Sequence, residues 1–191
     1  KFILGPITSA ISLAISQNLN RWDAAFLGTI SKADKLTGDA CNPRFIRTNH
    51  SDAMDLAMIQ EWVKDIPGNT FAILAADYVW GHDSAASFEK AVTSQGKQVV
   101  KKLFVPLGTK DYAPYIQQLK AAGADAIWVA DVSGAIAFVK QAKDFGLIPQ
   151  TPLIGHALVS DFLIKATGDA LENVPGNVGF TVDIDTPQTR K

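Results

Sequence analysis

Cysteine is nearly missing from this 191-residue chain, since Cys41 stands alone. That excludes an internal disulfide and any zinc site made only of thiolates, and it leaves open a pairing with a cysteine outside this sequence. Excess charge is missing too: 18 Lys and Arg face 19 Asp and Glu, a formal net charge of -1. There is no basic field to gather phosphates, and the aromatic residues are not interleaved with Arg or Lys, so nucleic acid is not an expected partner. No apolar run approaches the roughly 20 residues that span a bilayer, so direct membrane insertion is not expected either. The chain opens Lys1-Phe2-Ile3-Leu4-Gly5-Pro6, with no initiator and no signal peptide. It reads as starting inside a core strand and ending in a polar loop, as an internal fragment would.

Catalytic signatures are equally scarce. Gly5-Pro6-Ile7-Thr8-Ser9 follows the first strand where a GxGxxG or GxxxxGK loop would have to stand, and no GxSxG elbow occurs. His50, His82 and His156 lie far apart and none belongs to a recognised metal spacing. They read as loop or helix-cap histidines. Cys41 and His50 are separated by Pro43-Arg44-Phe45-Ile46-Arg47, an extended span that argues against a thiolate dyad. No catalytic residue, metal or cofactor is therefore expected.

What the chain does contain is a recurring unit, a short apolar run that ends in a polar loop and is followed by an amphipathic helix. It appears at Phe2–Gly5, at Phe71–Asp77 and at Ala126–Asp131. At 47% hydrophobic the chain can build one good core or two small ones. Strands alternating with helices of ten or more residues imply parallel pairing, so the fold class is α/β, with ligands held at the carboxyl ends of the strands. The first helix, capped by Thr8 or Ser9, is expected to bury Ile11, Ile15, Leu19 and Trp22. A second helix begins at Ser51 or Asp52, carries Leu56, Ile59, Val63 and Ile66, and stops at Pro67-Gly68, the expected boundary between two units.

Candidate ligand contacts follow from the strand ends. Ser9 presents a hydroxyl beside the first helical turn, as a ligand contact or as a plain helix cap. Ser31 and Lys32 sit just past the second strand. Asp77 and Asp131 end two strands of the second unit, and either caps the next helix or binds a ligand donor. Tyr78 and Trp80 are large aromatics in a strand-to-helix loop, a place that gives them little burial unless a ligand or a facing lobe covers them.

Several ordered segments carry a resemblance: Ile3-Leu4-Gly5-Pro6-Ile7-Thr8-Ser9, Leu36 to Arg47, Asp77-Tyr78-Val79-Trp80-Gly81, Gly123 to Ile127, and Val139 to Leu147. Together they resemble the central part of bacterial extracytoplasmic solute-binding proteins of ABC transporters, the group that includes the leucine/isoleucine/valine-binding proteins. The resemblance implies two Rossmann-like lobes with parallel sheets, a partial type I periplasmic-binding-protein fold. Residues 1–67 would be the later part of lobe 1, 68–179 most of lobe 2, and 180–191 the hinge return. It implies a small organic solute, a carboxylate that is aromatic or amino-acid-like, held between the lobes and delivered to a membrane permease. The location implied is the periplasm, or a lipid-anchored extracellular position in a Gram-positive host.

The implied ligand contacts are Thr8, Ser9, Ile30, Ser31, Lys32, Tyr78, Trp80, Asp131, Val132, Ser133, His156 and Ala157. Amino-acid binders carry an acidic residue within Gly155-His156-Ala157; Ala157 cannot hold a buried ammonium, and Asp131 is the available substitute. Trp80, Tyr78 and an uncharged pocket wall then favour an aromatic or other apolar carboxylate, or an amide. A ligand-sensing regulator of the same fold and a Rossmann-like enzyme are the alternatives. The missing phosphate loop counts against the enzyme, whereas sensor and transport receptor differ only in their partners.

Overall fold

Two parallel sheets form in the computed structural model, which describes residues 1–156, 158–177 and 185–187. The first holds β1 (Phe2–Leu4), β2 (Ala25–Gly28) and β3 (Phe45–Arg47) in that order. Its core is Leu19, Ala24, Phe26, Ala33, Leu36 and Phe45, with Phe26 and Phe45 meeting edge to face at 5.1 Å. β3 comes from the stretch 38–49, read from sequence as mostly extended or irregular.

Helix α1 (Ser9–Trp22) departs from its expected face. It buries Ser9, Ser12, Ser16 and Leu19, while Ile11 and Trp22 are exposed. Small serines allow close approach, and Ser12 Oγ lies 2.5 Å from Ser31 Oγ on the loop after β2. A direct hydroxyl pair therefore replaces the apolar contact that the spacing of isoleucines suggested.

The second sheet runs β5-β4-β6-β7-β8, from β4 (Thr70–Ala76), β5 (Gln98–Val105), β6 (Ala126–Ala130), β7 (Leu153–His156) and β8 (Gly176–Asn177), all parallel. β4 and β6 are buried almost throughout, as a sheet covered on both faces requires. Alternation along β6 divides its side chains between two cores. Ile127 and Val129 face α4 (Ala113–Ala122), α5 (Ala135–Asp144) and α6 (Asp161–Thr167), packing with Tyr112, Ile116, Phe138 and Leu163. Ala126, Trp128 and Ala130 join the other core, where Trp128 stacks on Phe88 of α3 (Val79–Ser94) at 4.3 Å.

Helix α2 (Asp52–Val63) sits on the second sheet although the sequence boundary at Pro67 places it in the first unit. Ile59, Val63 and the following Ile66 pack with Phe71, Ile73 and Trp128. A helix is assigned by the face it buries, and α2 buries its face there. The strand expected at Val178–Val182 and most of the hinge return at 180–191 lie outside the described residues.

Strand order fixes where a ligand can lie. The chain leaves β4 for β5 on one side and returns to β6 on the other, so the crossovers diverge at the carboxyl ends of β4 and β6, the place where open parallel sheets receive ligands. The segments Asp77–Trp80 and Asp131–Ser133 flank it, and His156 ends the neighbouring β7.

Candidate functional site

Lys32 is the residue through which the first unit reaches the second. Its loop is clamped from several sides: Arg47 donates to the carbonyls of Ser31 at 2.9 Å and Ala33 at 2.6 Å, Asn49 donates to Ile30 O at 2.7 Å, and the Asp52 amide donates to Lys32 O at 3.1 Å. So held, Lys32 Nζ lies 2.7 Å from Asp55 Oδ2 on α2 and 3.2 Å from His156 Nε2 at the end of β7.

His156 is tied at both ring nitrogens. Trp128 Nε1, which can only donate, reaches Ser84 Oγ at 3.2 Å, and that hydroxyl lies 2.7 Å from His156 Nδ1. With Ser84 donating onward to Nδ1, the ring proton sits on Nε2 and points at Asp55 Oδ2, 2.8 Å away. Burial holds His156 below the ordinary imidazole range, with Lys32 acting in the same direction. Burial alone would raise Asp55, but the hydrogen bonds from His156 and Lys32 outweigh it and hold the carboxyl below its usual range. His50 Nε2 lies 3.0 Å from the other oxygen of Asp55, out of hydrogen-bond alignment.

Aromatic residues close one side of this cluster. Trp80 is 6% exposed and its ring stands 5.0 Å from His156 and 6.0 Å from Tyr78. α3 starts at Val79, so Trp80 occupies the first helical turn instead of a loop, and His156 provides the covering surface. The Tyr78 hydroxyl is pushed up to about 12 by burial and by the carboxylates of Asp131 and Asp52.

The structure thus brings Lys32, Tyr78, Trp80 and His156 together and uses several other candidates differently. Ser9 is buried, and its hydroxyl accepts from the Ala33 amide at 3.3 Å. Ser31 Oγ donates to Pro6 O at 2.8 Å, so both serines bind the first two strand-end loops to each other. Thr8 is the N-cap residue of α1 but makes no side-chain capping bond. Asp131 accepts from Tyr112 Oη at 2.5 Å and from Ser133 Oγ and the Gly134 amide, and so fixes the turn that starts α5. It is not free to substitute for a missing ammonium partner. Ile30, Val132 and Ser133 are exposed, and Ala157 lies outside the described residues.

The uncharged wall expected from sequence is corrected: the cluster holds Lys32, Asp55 and His156, with Asp52 beside them. Ligating atoms of Asp52, Asp55 and His156 lie within 4.8 Å of one another, the one such group among the described residues that could take a metal ion. The Lys32 ammonium already occupies an edge of it, which weighs against a second cation. Sequence reading missed Asp52, Asp55, Ser84, Arg47 and Trp128. The available signal was Asp52 and Asp55 at a helix start, since carboxylates three apart share one helix face.

Comparison with known proteins gives a consistent result. The chain matches the family described as Periplasmic binding protein over residues 1–191. It is 27% identical over 154 residues to the Leu/Ile/Val-binding protein homolog 6 of Brucella melitensis biotype 1, which covers 78% of this chain and 40% of that protein. The chain thus spans under half the length of the curated relatives it matches. An ABC transporter solute-binding protein from R. palustris in complex with 4-hydroxybenzoate superposes with a TM-score of 0.91 at 23% identity, covering 99% of this chain and 52% of that one. Another from R. palustris, in complex with benzoate, gives 0.90 at 18% identity over the same shares.

Proposed function

Because this chain belongs to the periplasmic binding protein family and carries part of its two-lobed α/β fold, we propose that it binds a small organic carboxylate between its two units. The solute is aromatic or amino-acid-like and is handed to the permease of an ABC transporter. One observation carries the reading: Lys32 from the first sheet's strand ends meets His156 at the second sheet's strand ends, where Trp80 stands against the imidazole and Tyr78 against Trp80. Two similar folds from R. palustris hold benzoate and 4-hydroxybenzoate, which supports an aromatic acid over an aliphatic one.

In this reading the acid end lies by the start of α1, near Thr8 and Ser9, within reach of the Lys32 charge. Ile30, Val132 and Ser133 line the rim, and Tyr78 and Trp80 cover the ring. Asp131 acts from behind, by setting the β6 loop. Residues 1–67 and 68–179 supply the two lobes, with α2 packed on the second. The work is capture without turnover, performed outside the cytoplasm.

Calorimetric titration of the full-length protein with benzoate, 4-hydroxybenzoate and leucine tests the proposal. Tight binding of an aromatic acid, recovered unchanged, is the expected result. Tight binding of leucine with no affinity for either benzoate would overturn the aromatic assignment, and conversion of the bound acid would overturn capture without turnover.

A further inference from the structure

Asp52 is the one acid of the cluster that nothing satisfies. It has no exposed surface, and neither of its carboxyl oxygens has a hydrogen-bond partner. Asp55, one turn later, is held through Oδ2 by Lys32 and His156. A buried polar group left unpaired is destabilising, so a partner that arrives only with the solute accounts for its presence. Its position agrees. Asp52 begins α2, its amide donates to Lys32 O, and a carboxyl oxygen lies within 4.8 Å of a carboxylate oxygen of Asp55 and a ring nitrogen of His156.

The charges around it restrict what that partner can be. Asp55, Asp83 and Asp34 surround Asp52 with negative charge and Lys32 opposes them only in part, while burial is the larger influence and raises its pKa to about 8. Near neutral pH the group is therefore a carboxylic acid, with one O–H to donate and one carbonyl oxygen to accept. An ammonium cannot accept, and it would stand beside Lys32. A carboxylate cannot donate, and it would meet the surrounding acids. An ether does not donate.

We propose that Asp52 is a specificity residue of the solute site, whose carboxyl recognises a neutral solute group that both donates and accepts a hydrogen bond, a hydroxyl or a carboxamide. The proposal rests on the solute-binding reading above and adds a neutral polar group that the solute carries besides its carboxylate.

The test is titration of the full-length protein and its variants with benzoate, 4-hydroxybenzoate, 4-carbamoylbenzoate and 4-methoxybenzoate. Wild type is expected to bind the hydroxy or the carbamoyl acid at least about tenfold more tightly than benzoate or the methoxy acid, and which of the two wins identifies the group. Asp52→Leu loses that preference, and Asp52→Asn keeps it because a carboxamide donates and accepts as the neutral acid does. Asp52→Ala serves the same purpose if the leucine side chain is not accommodated. Retention of the preference in Asp52→Leu or Asp52→Ala, or its loss in a folded Asp52→Asn, overturns the proposal. Equal affinity of wild type for all four acids overturns the proposal and leaves the solute site standing, whereas affinity for none of them overturns both.

Discussion

Asp55 and His156 stand 101 residues apart in sequence and 2.8 Å apart in space, and Lys32 meets both from the other sheet. The contact places α2 and β7 on one side of a junction and the β2 loop on the other. An ion pair this buried contributes little net stability against a well-packed apolar alternative, because desolvation of both charges offsets their attraction. Its effect is to fix which loops face each other.

Removal of one partner should therefore cost more than the pair contributes. Lys32→Met strands the Asp55 carboxylate, and a loss of about 3 kcal/mol is expected in urea unfolding. The double variant Lys32→Met/Asp55→Asn should recover part of that loss, since no charge remains to be stranded. Additive losses in the two single variants would mean that the contact carries no coupling.

Asp52 gives a stability dependence opposite to that of most carboxylates. Its folded pKa of about 8 lies above its ordinary value of 3.8, so between these pH values the folded chain holds a proton that the unfolded chain has released. The stabilisation is complete below 3.8, falls as pH rises, and is gone above about 8. Across that window Asp52→Asn should gain on wild type by an amount on the order of a few kcal/mol. Parallel pH profiles for the two proteins, by urea midpoint, would refute this.

His156 and Asp55 act on the acid side. The folded pKa of His156 is depressed below 6.5, so its contribution is present above 6.5 and is lost as pH falls through the folded value. That of Asp55 is depressed below 3.8 and is lost lower still. Between 3.8 and 6.5 Asp52 and His156 have opposite slopes, so comparison of His156→Gln with wild type separates them. The variant should show a flatter decline below pH 6.5, read from thermal midpoints at constant ionic strength.

How far these groups were legible in the sequence depended on distance along the chain. Strand-helix alternation is local, so the parallel sheets and most helices could be read from runs such as Phe71–Ala76 and Ala126–Ala130. The face of α1 could not, because isoleucine spacing hid that Ser12 pairs with Ser31 on the next strand-end loop. Lys32 was singled out as a residue just past a strand end, Trp80 as an aromatic in a strand-to-helix loop, and His156 only through the family resemblance. Asp52 and Asp55 were not, because a helix-start acid ordinarily reads as a favourable dipole interaction in solvent. Only folding across some hundred residues makes those two acids buried, with one engaged and the other without a partner.

The last prediction concerns how Trp80 is held. α3 starts so close to the end of β4 that a Cβ on Gly81 would overlap the carbonyl oxygen of Ala76 and stand 2.8 Å from its carbon. Both are backbone atoms and cannot swing aside, so Gly81→Ala must lift the first turn of α3 from the strand and carry Trp80 away from His156. A loss of about 1–3 kcal/mol in stability is expected, together with a clear fall in solute affinity. Gly96→Ala is the control. Gly96 has φ +72 and nothing within 4 Å of an added Cβ, so the substitution strains the backbone after the far end of α3 without touching the site. It should lower stability and leave affinity unchanged. Equal affinity losses in both variants would mean that binding follows overall stability and not the seating of Trp80.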